Sequence, residues 1–379
     1  MSKVKYFLLT NISYFCFFNN NTKKNQICLR VYRLNFKSKY MKIVELGEFG
    51  LIEQITKKSR LENKNTIKGI GDDAAVIDAG NHCKLISKDL LLEGIHFNMM
   101  YMPLKHLGYK AAIVNFSDIY AMNGVPTQLL VGLGISSRYT VEAIEEIYSG
   151  IHLACKQYGV DFIGGDTTSS LSGLVLSATI IGEAKKEEIV YRNTAKKDDL
   201  ICVSGDLGAA YLGLLLLERE KEVFKANPSM QPELEQADYV LERQLKPEAR
   251  ADIIAFFKEN KIKPTAMIDV SDGLASEVLH IAKQSALGCR IMEDAIPINY
   301  QTIMKAEEFK LEPTTCALNG GEDYELLFTV DQKHYETVKQ NSQIAIIGYM
   351  TDESEGCNLM TRADALMEIK AQGWDSLKE

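Results

Sequence analysis

Five times along this chain an acid stands beside glycine, mostly just after a short apolar run: Gly71-Asp72-Asp73, Gly164-Gly165-Asp166, Gly205-Asp206, Asp269-Val270-Ser271-Asp272-Gly273 and Gly320-Gly321-Glu322-Asp323. Short apolar runs that stop at Gly/Asp turns read as strands, and several of the intervening segments carry apolar residues at helical spacing. Such a chain is confined to a mixed α/β architecture. Strands are expected at 84–87, 129–135, 174–181, 200–204, 266–270, 326–330 and 344–347, and helices near 104–122, 141–158, 208–219, 251–259, 274–285 and 333–339. The turns also suggest chemistry. Glycine lets backbone amides approach a phosphate, and a carboxylate can hold the cation that shields it.

With 379 residues, 46% of them hydrophobic, the chain is long enough to bury two cores. The polar stretch from Lys185 to Asp199 is the natural boundary, because few contacts cross such linkers. Three segments are therefore expected: 1–40, 41–190 and 191–379. The first holds eight Lys or Arg and no Asp or Glu. Its apolar run after Lys5 is interrupted by Asn11 and Ser13 and lacks a small-residue cleavage site, so a signal peptide is disfavoured. A non-native leader ahead of Met41, probed by the native N-terminus, is the preferred reading. Without it, 35 basic residues face 51 acidic ones, a balance that repels nucleic acid and suits a protein that gathers divalent cations. No run approaches the roughly 20 apolar residues of a membrane-spanning helix. A soluble, cytoplasmic protein is expected. The eight cysteines are scattered without a C-x-x-C pair, which fits a reducing compartment and reads as small buried hydrophobes.

Gly69-Ile70-Gly71-Asp72-Asp73-Ala74 matches a relaxed dinucleotide fingerprint, but its two aspartates would repel a bare pyrophosphate. Metal binding is preferred over direct phosphate cradling, with a purely structural Asp-rich turn as the alternative. Asp118 lies in the apolar segment 111–122, where a carboxylate is costly unless paired, hydrogen-bonded or metal-bound; Lys110 and Asn115 are candidate local partners. Gly164-Gly165-Asp166 is followed by four hydroxyl residues, which suits a nucleotide-phosphate and metal site. Asp269, Ser271 and Asp272 offer alternating oxygens, although Asp272 could equally cap the following helix. The chain has no G-x-x-x-x-G-K-[ST] loop, H-E-x-x-H pair, G-x-S-x-G elbow or protein-kinase signature, and its six histidines show no zinc spacing.

Taken in order, Gly47 to Ile52, Gly69 to Ala75, Glu93 to Phe97, Asn115 to Asp118, Gly164 to Thr168, Asp269 to Leu274 and Gly320 to Leu326 closely resemble the thiamine-monophosphate kinase family of the aminoimidazole ribonucleotide synthetase-like superfamily. The resemblance covers essentially all of residues 41–379. It implies a two-domain α/β (α+β) fold: an N-terminal mixed sheet with helices that binds ATP and magnesium and forms a homodimer, and a C-terminal α/β domain that completes the nucleotide and substrate site. It further implies magnesium ligands at Asp73, Asp89, Asp118, Asp166, Asp269 and Asp272, with Ser87 and Lys88 beside them. ATP contacts are implied at Gly165, Arg192 and Ser271, and thiamine-side contacts at His96, Glu322 and Trp374. Three departures stand out: Lys88 where the family often has threonine, and Asn123 and Asp198 where it commonly has glycine.

The implied reaction is ATP plus thiamine monophosphate giving ADP plus thiamine diphosphate, with several Mg2+ ions and no protein nucleophile or general base. Two rivals remain at this level: a related ATP-using synthetase, and a non-catalytic metal-nucleotide binding protein. A selenide-activating synthetase would want a reactive Cys in a glycine-rich N-terminal loop, which Cys16 and Cys28 lack.

Overall fold

The computed structural model describes Leu8–Leu9, Ile12–Ser13 and residues 43–372, with side chains from Glu45 onward. Within the expected leader it describes only the antiparallel pairing of β1 (Leu8–Leu9) with β2 (Ile12–Ser13). The rest of residues 1–40, and Trp374, lie outside the described residues. The chain divides into two compact units, Met1–Ile55 with Leu377–Glu379, and Thr56–Ser376. The first contains most of α1 (Ile43–Thr56), helical on either side of Gly47, whose φ of 67° and ψ of −177° break it.

The second unit contains two sheets. The six-stranded sheet runs β3 (Thr66–Lys68), β4 (Ala75–Asp78), β5 (Cys83–Leu92), β8 (Val175–Ala184), β6 (Val125–Ile135) and β7 (Asp161–Ser169), with only β6 and β7 parallel. Burial alternates along β8 residue by residue, as expected of a sheet covered on one face. Leu129, Val131, Leu133, Leu176, Ala178 and Ile180 pack in one core with α2 (Leu104–Ala121) and α3 (Val141–Tyr158). These helices meet backbone to backbone at two glycines: a Cβ on Gly108 would stand 1.8 Å from the Ile147 carbonyl, and one on Gly150 1.9 Å from that of Lys105.

The seven-stranded sheet runs β10 (Ala266–Asp269), β12 (Leu326–Val330), β9 (Leu200–Ser204), β13 (Ile344–Asp352), β11 (Leu287–Met292), β14 (Cys357–Met360) and β15 (Leu366–Glu368). Only β11 and β14 are parallel. β10 and β12 are buried at every position, because helices cover both faces. α7 (Leu274–Ser285) packs on one side and α6 (Ala251–Glu259) with α10 (Tyr335–Lys339) on the other; α4 (Ala209–Ala226), α5 (Asp238–Leu245), α8 (Tyr300–Glu308) and α9 (Pro313–Asn319) form a further cluster.

The mixed α/β expectation holds, and 200–204, 326–330, 141–158, 251–259 and 274–285 match their elements to the residue. Other boundaries move. The Gly164-Gly165-Asp166 motif lies inside a strand and not in a turn: β7 runs through it to Ser169, because β6 pairs with it in parallel from Gln128 to Ile135, with one register shift after Leu129. β3, at the edge of the sheet, is a three-residue strand outside the expected set. The two glycine departures have a common cause. Asn123 (φ 58°) and Asp198 (φ 67°) both adopt the left-handed backbone that glycine favours. At Asn123 this closes α2, with the Gly124 N–H donating to the Ile119 carbonyl at 2.9 Å, and Asn is the next most tolerant residue for that position.

Candidate metal centre

Of the 18 residues of α2, 14 are buried, so its polar side chains must find partners inside the protein. Ser117 and Asp118 do so in different directions. Asp118 Oδ2 accepts from Ser87 Oγ of β5 at 2.6 Å. Ser117 Oγ donates to Oδ2 of Asp269, the last residue of β10, at 2.6 Å. The third component is the turn between β3 and β4, where the Ala74 N–H donates to the Met122 thioether at the end of α2, 3.1 Å away. That contact holds Asp73 beside the helix. Asp73, Asp118 and Asp269 each present a carboxylate oxygen, and the three oxygens lie within 4.8 Å of one another.

Burial raises the Asp118 carboxyl well above the usual range, and Asp89, Asp269 and Asp73 raise it further by like-charge repulsion. Burial, then Asp73, pushes Asp269 up to about 7. Burial also pushes Asp89 up to about 6, and burial with Asp73 does the same to Asp72. In each of the four, burial is the larger cause, because a carboxylate loses its hydration inside the protein. Arg192 offsets part of the repulsion by gripping Asp73 with Nε at 3.0 Å and Nη2 at 2.6 Å. Converging hard oxygen donors with excess negative charge match the requirements of Mg2+, whose own charge would reverse the upward shifts.

The remaining expected residues fall in several places. Ser87 and Asp89 pair with Ile180 and Ala178, on the sheet face that meets α2. Lys88 alternates to the other face, where its ammonium donates to Ser177. Asp166 is exposed on edge strand β7 and pairs with Gly132, outside the three-carboxylate cluster. Gly165 lies against the Val131 backbone, where a Cβ would stand 1.8 Å from the carbonyl oxygen. Asp272 does not cap α7: Gly273 is the N-cap residue, and the Asp272 N–H donates to Glu277 Oε1 at 3.0 Å. The Ser271 carbonyl accepts from the Glu322 N–H at 2.7 Å, joining two of the acidic turns. His96 Nδ1 accepts from the Leu92 N–H at 3.1 Å.

Lys110 and Asn115 do not serve Asp118. Lys110 donates to the Gln244 carbonyl at 2.9 Å and pairs with Glu322 at 3.2 Å, while Asn115 donates to the Ala111 carbonyl. The sequence reading missed Ser117 and Glu277. Glu277 is fully buried on α7, and burial with repulsion from Asp272 raises its carboxyl well above the usual range. The available signal was that acids and hydroxyls inside apolar helices need partners.

Residues 71–184 match the AIR synthase related protein, N-terminal domain, family. The chain is 35% identical over 344 residues to thiamine-monophosphate kinase of Bacillus subtilis (strain 168), covering 88% of this chain and 100% of the relative. It is 34% identical over 334 residues to thiamine-monophosphate kinase of Aquifex aeolicus (strain VF5), covering 88% and 99%. Its fold is similar to the solved structure of AaThiL complexed with AMPPCP and TMP, at a TM-score of 0.75 and 32% identity, over 89% of this chain and 99% of that one.

Proposed function

This chain belongs to the thiamine-monophosphate kinase family, and from that membership we propose that it transfers the γ-phosphoryl group of ATP to thiamine monophosphate, giving thiamine diphosphate and ADP, at the centre formed by Asp73, Asp118 and Asp269. The observation that carries this reading is the convergence of three carboxylates from a turn, a helix and a strand end. The acceptor is a phosphate monoester with a second pKa of about 6, so it is already largely anionic at neutral pH. No nucleophile or general base is required of the protein. The obstacle is the approach of two anions; magnesium ions held by Asp73, Asp118 and Asp269 would supply the positive charge that offsets their repulsion.

The protein's part is positioning. Ser87 and Ser117 donate to Asp118 and Asp269 and fix the direction of their free oxygens, while Arg192 holds Asp73. Asp89, Asp272 and Asp166, with the Ser87 to Lys88 segment, complete the proposed set for several Mg2+ ions. Gly165, Arg192 and Ser271 are assigned to ATP, and His96, Glu322 and Trp374 to the thiamine side. Homodimerisation and cytoplasmic residence belong to the same reading. The face of the six-stranded sheet away from α2 supports a dimer, since it leaves Leu90 50% exposed and Ile86, Leu130 and Ile181 incompletely covered. Among the described residues no helix is long and apolar enough to cross a membrane.

Incubation with ATP, Mg2+ and thiamine monophosphate, followed by chromatography, tests the proposal. Stoichiometric thiamine diphosphate and ADP are expected. ADP without thiamine diphosphate would transfer the chain to the ATP-using synthetases, and neither product would leave a binding protein.

A further inference from the structure

The sequence shows no clustered cysteines, yet the sheet brings two together. Cys289 of β11 and Cys357 of β14 lie 68 positions apart and are register partners in the parallel pairing, so their side chains leave the sheet on the same face. Neighbouring strands run roughly 4.8 Å apart, inside the Cα separation of about 4.4–6.8 Å that a disulfide spans. Cys289 is fully buried, whereas Cys357 is only half-buried, at the start of β14 next to the turn ending in Gly356. Both are free thiols.

We propose that Cys289 and Cys357 form a reversible dithiol–disulfide couple, a modification site in which Cys357 attacks and Cys289 resolves. Register partnership sets the two thiols side by side, and hydrogen bonding between them acts oppositely on the partners. The bond from Cys289 is the main cause that pulls the Cys357 thiol down to about 7, while the same bond, followed by burial, drives Cys289 upward. Cys83, Cys155, Cys202 and Cys316 are buried and shifted upward by desolvation, the state of unreactive structural cysteines. Cys357 thus combines access, thiolate character and an adjacent second sulfur.

The oxidant is a small disulfide such as oxidised glutathione. The Cys357 thiolate attacks one of its sulfurs, forming a mixed disulfide and releasing one thiolate that takes up a proton. Cys289 then loses its proton, attacks Cys357 Sγ and expels the second glutathione thiolate. Two protein thiols are oxidised to one disulfide, and one glutathione disulfide is reduced to two thiols. The product would join β14 and β15 covalently to the rest of the sheet. In the reduced protein β11 is the strand to which this edge pairs, and the Ile369 N–H hangs on the Cys357 carbonyl at 2.9 Å.

The test uses the full chain, reduced and desalted, in a series of oxidised-to-reduced glutathione ratios, with alkylation, digestion and peptide mass mapping. A Cys289–Cys357 cross-linked peptide lacking two hydrogens, reversed by dithiothreitol and absent in Cys357→Ser, is expected. In Cys289→Ala the mixed disulfide on Cys357 should persist, and alkylation of Cys357 near pH 7 should slow about tenfold as its thiol returns toward the ordinary value of about 8.5. Persistent glutathionylation of Cys357 in the wild-type chain without the cross-link would overturn the proposal. So would equal alkylation rates in the wild type and a Cys289→Ala variant with native circular dichroism. If that variant does not fold, the wild-type peptide map alone decides.

Discussion

Arg192 grips Asp73 with both arms of its guanidinium fork, Nη2 lying 2.6 Å from Oδ1 and Nε 3.0 Å from Oδ2. The Asp73 side chain is fully buried and that of Arg192 19% exposed, so this is an interior pair. Sequence resemblance assigns Arg192 to ATP. In the structure its guanidinium neutralises one member of the three-carboxylate cluster.

Replacing Arg192 with alanine leaves Asp73 buried and unpaired, and breaking such a pair costs about 3 kcal/mol. Arg192→Ala is expected to unfold at lower temperature in EDTA. Magnesium should recover much of the difference by neutralising the same carboxylate. Thermal unfolding with EDTA and with Mg2+ checks this, and an unchanged gap between variant and wild type in the two conditions would contradict the assignment.

Asp118→Asn keeps an oxygen that can accept from Ser87 but removes the charge. Turnover is expected to fall by about 10³ or more, the scale of losing several kcal/mol of metal-borne charge stabilisation. In EDTA the variant should unfold no more readily than wild type, because a desolvated carboxylate repelled by Asp89, Asp269 and Asp73 has been removed. Steady-state kinetics and calorimetry measure both. Near wild-type turnover would remove Asp118 from the metal set.

The raised carboxyls also make stability depend on pH. Asp89 is pushed up to about 6 and Asp269 to about 7, while the unfolded chain titrates near the ordinary value of about 3.9. Between these limits the folded state holds more protons than the unfolded state, so unfolding free energy falls as pH rises. The contribution is full below about pH 4 and lost as pH passes through 6 to 7. Other carboxylates superimpose their own dependence, so the diagnostic is the difference on adding metal. Magnesium should raise the melting temperature more at pH 8 than at pH 5.5, where protons compete for the same oxygens. An equal or smaller rise at pH 8 would contradict a magnesium site here.

The alternation of apolar and helical segments was enough to read the mixed α/β class, and it placed α3 and α7 to the residue. The acidic glycine turns supplied Asp73 and Asp269, and the apolar stretch around Asp118 marked a carboxylate in need of partners. These features are legible because periodicity, turn chemistry and the cost of burying a charge act over a few neighbouring residues. Only the tertiary structure decided what those residues touch. Ser117 reaches Asp269 across 152 positions, Lys110 turns from Asp118 to Glu322, and Cys289 meets Cys357 across two strands that sequence inspection did not mark. Strand register and helix packing set such meetings, and both depend on how distant segments jointly bury their surfaces, which no local window of the chain contains.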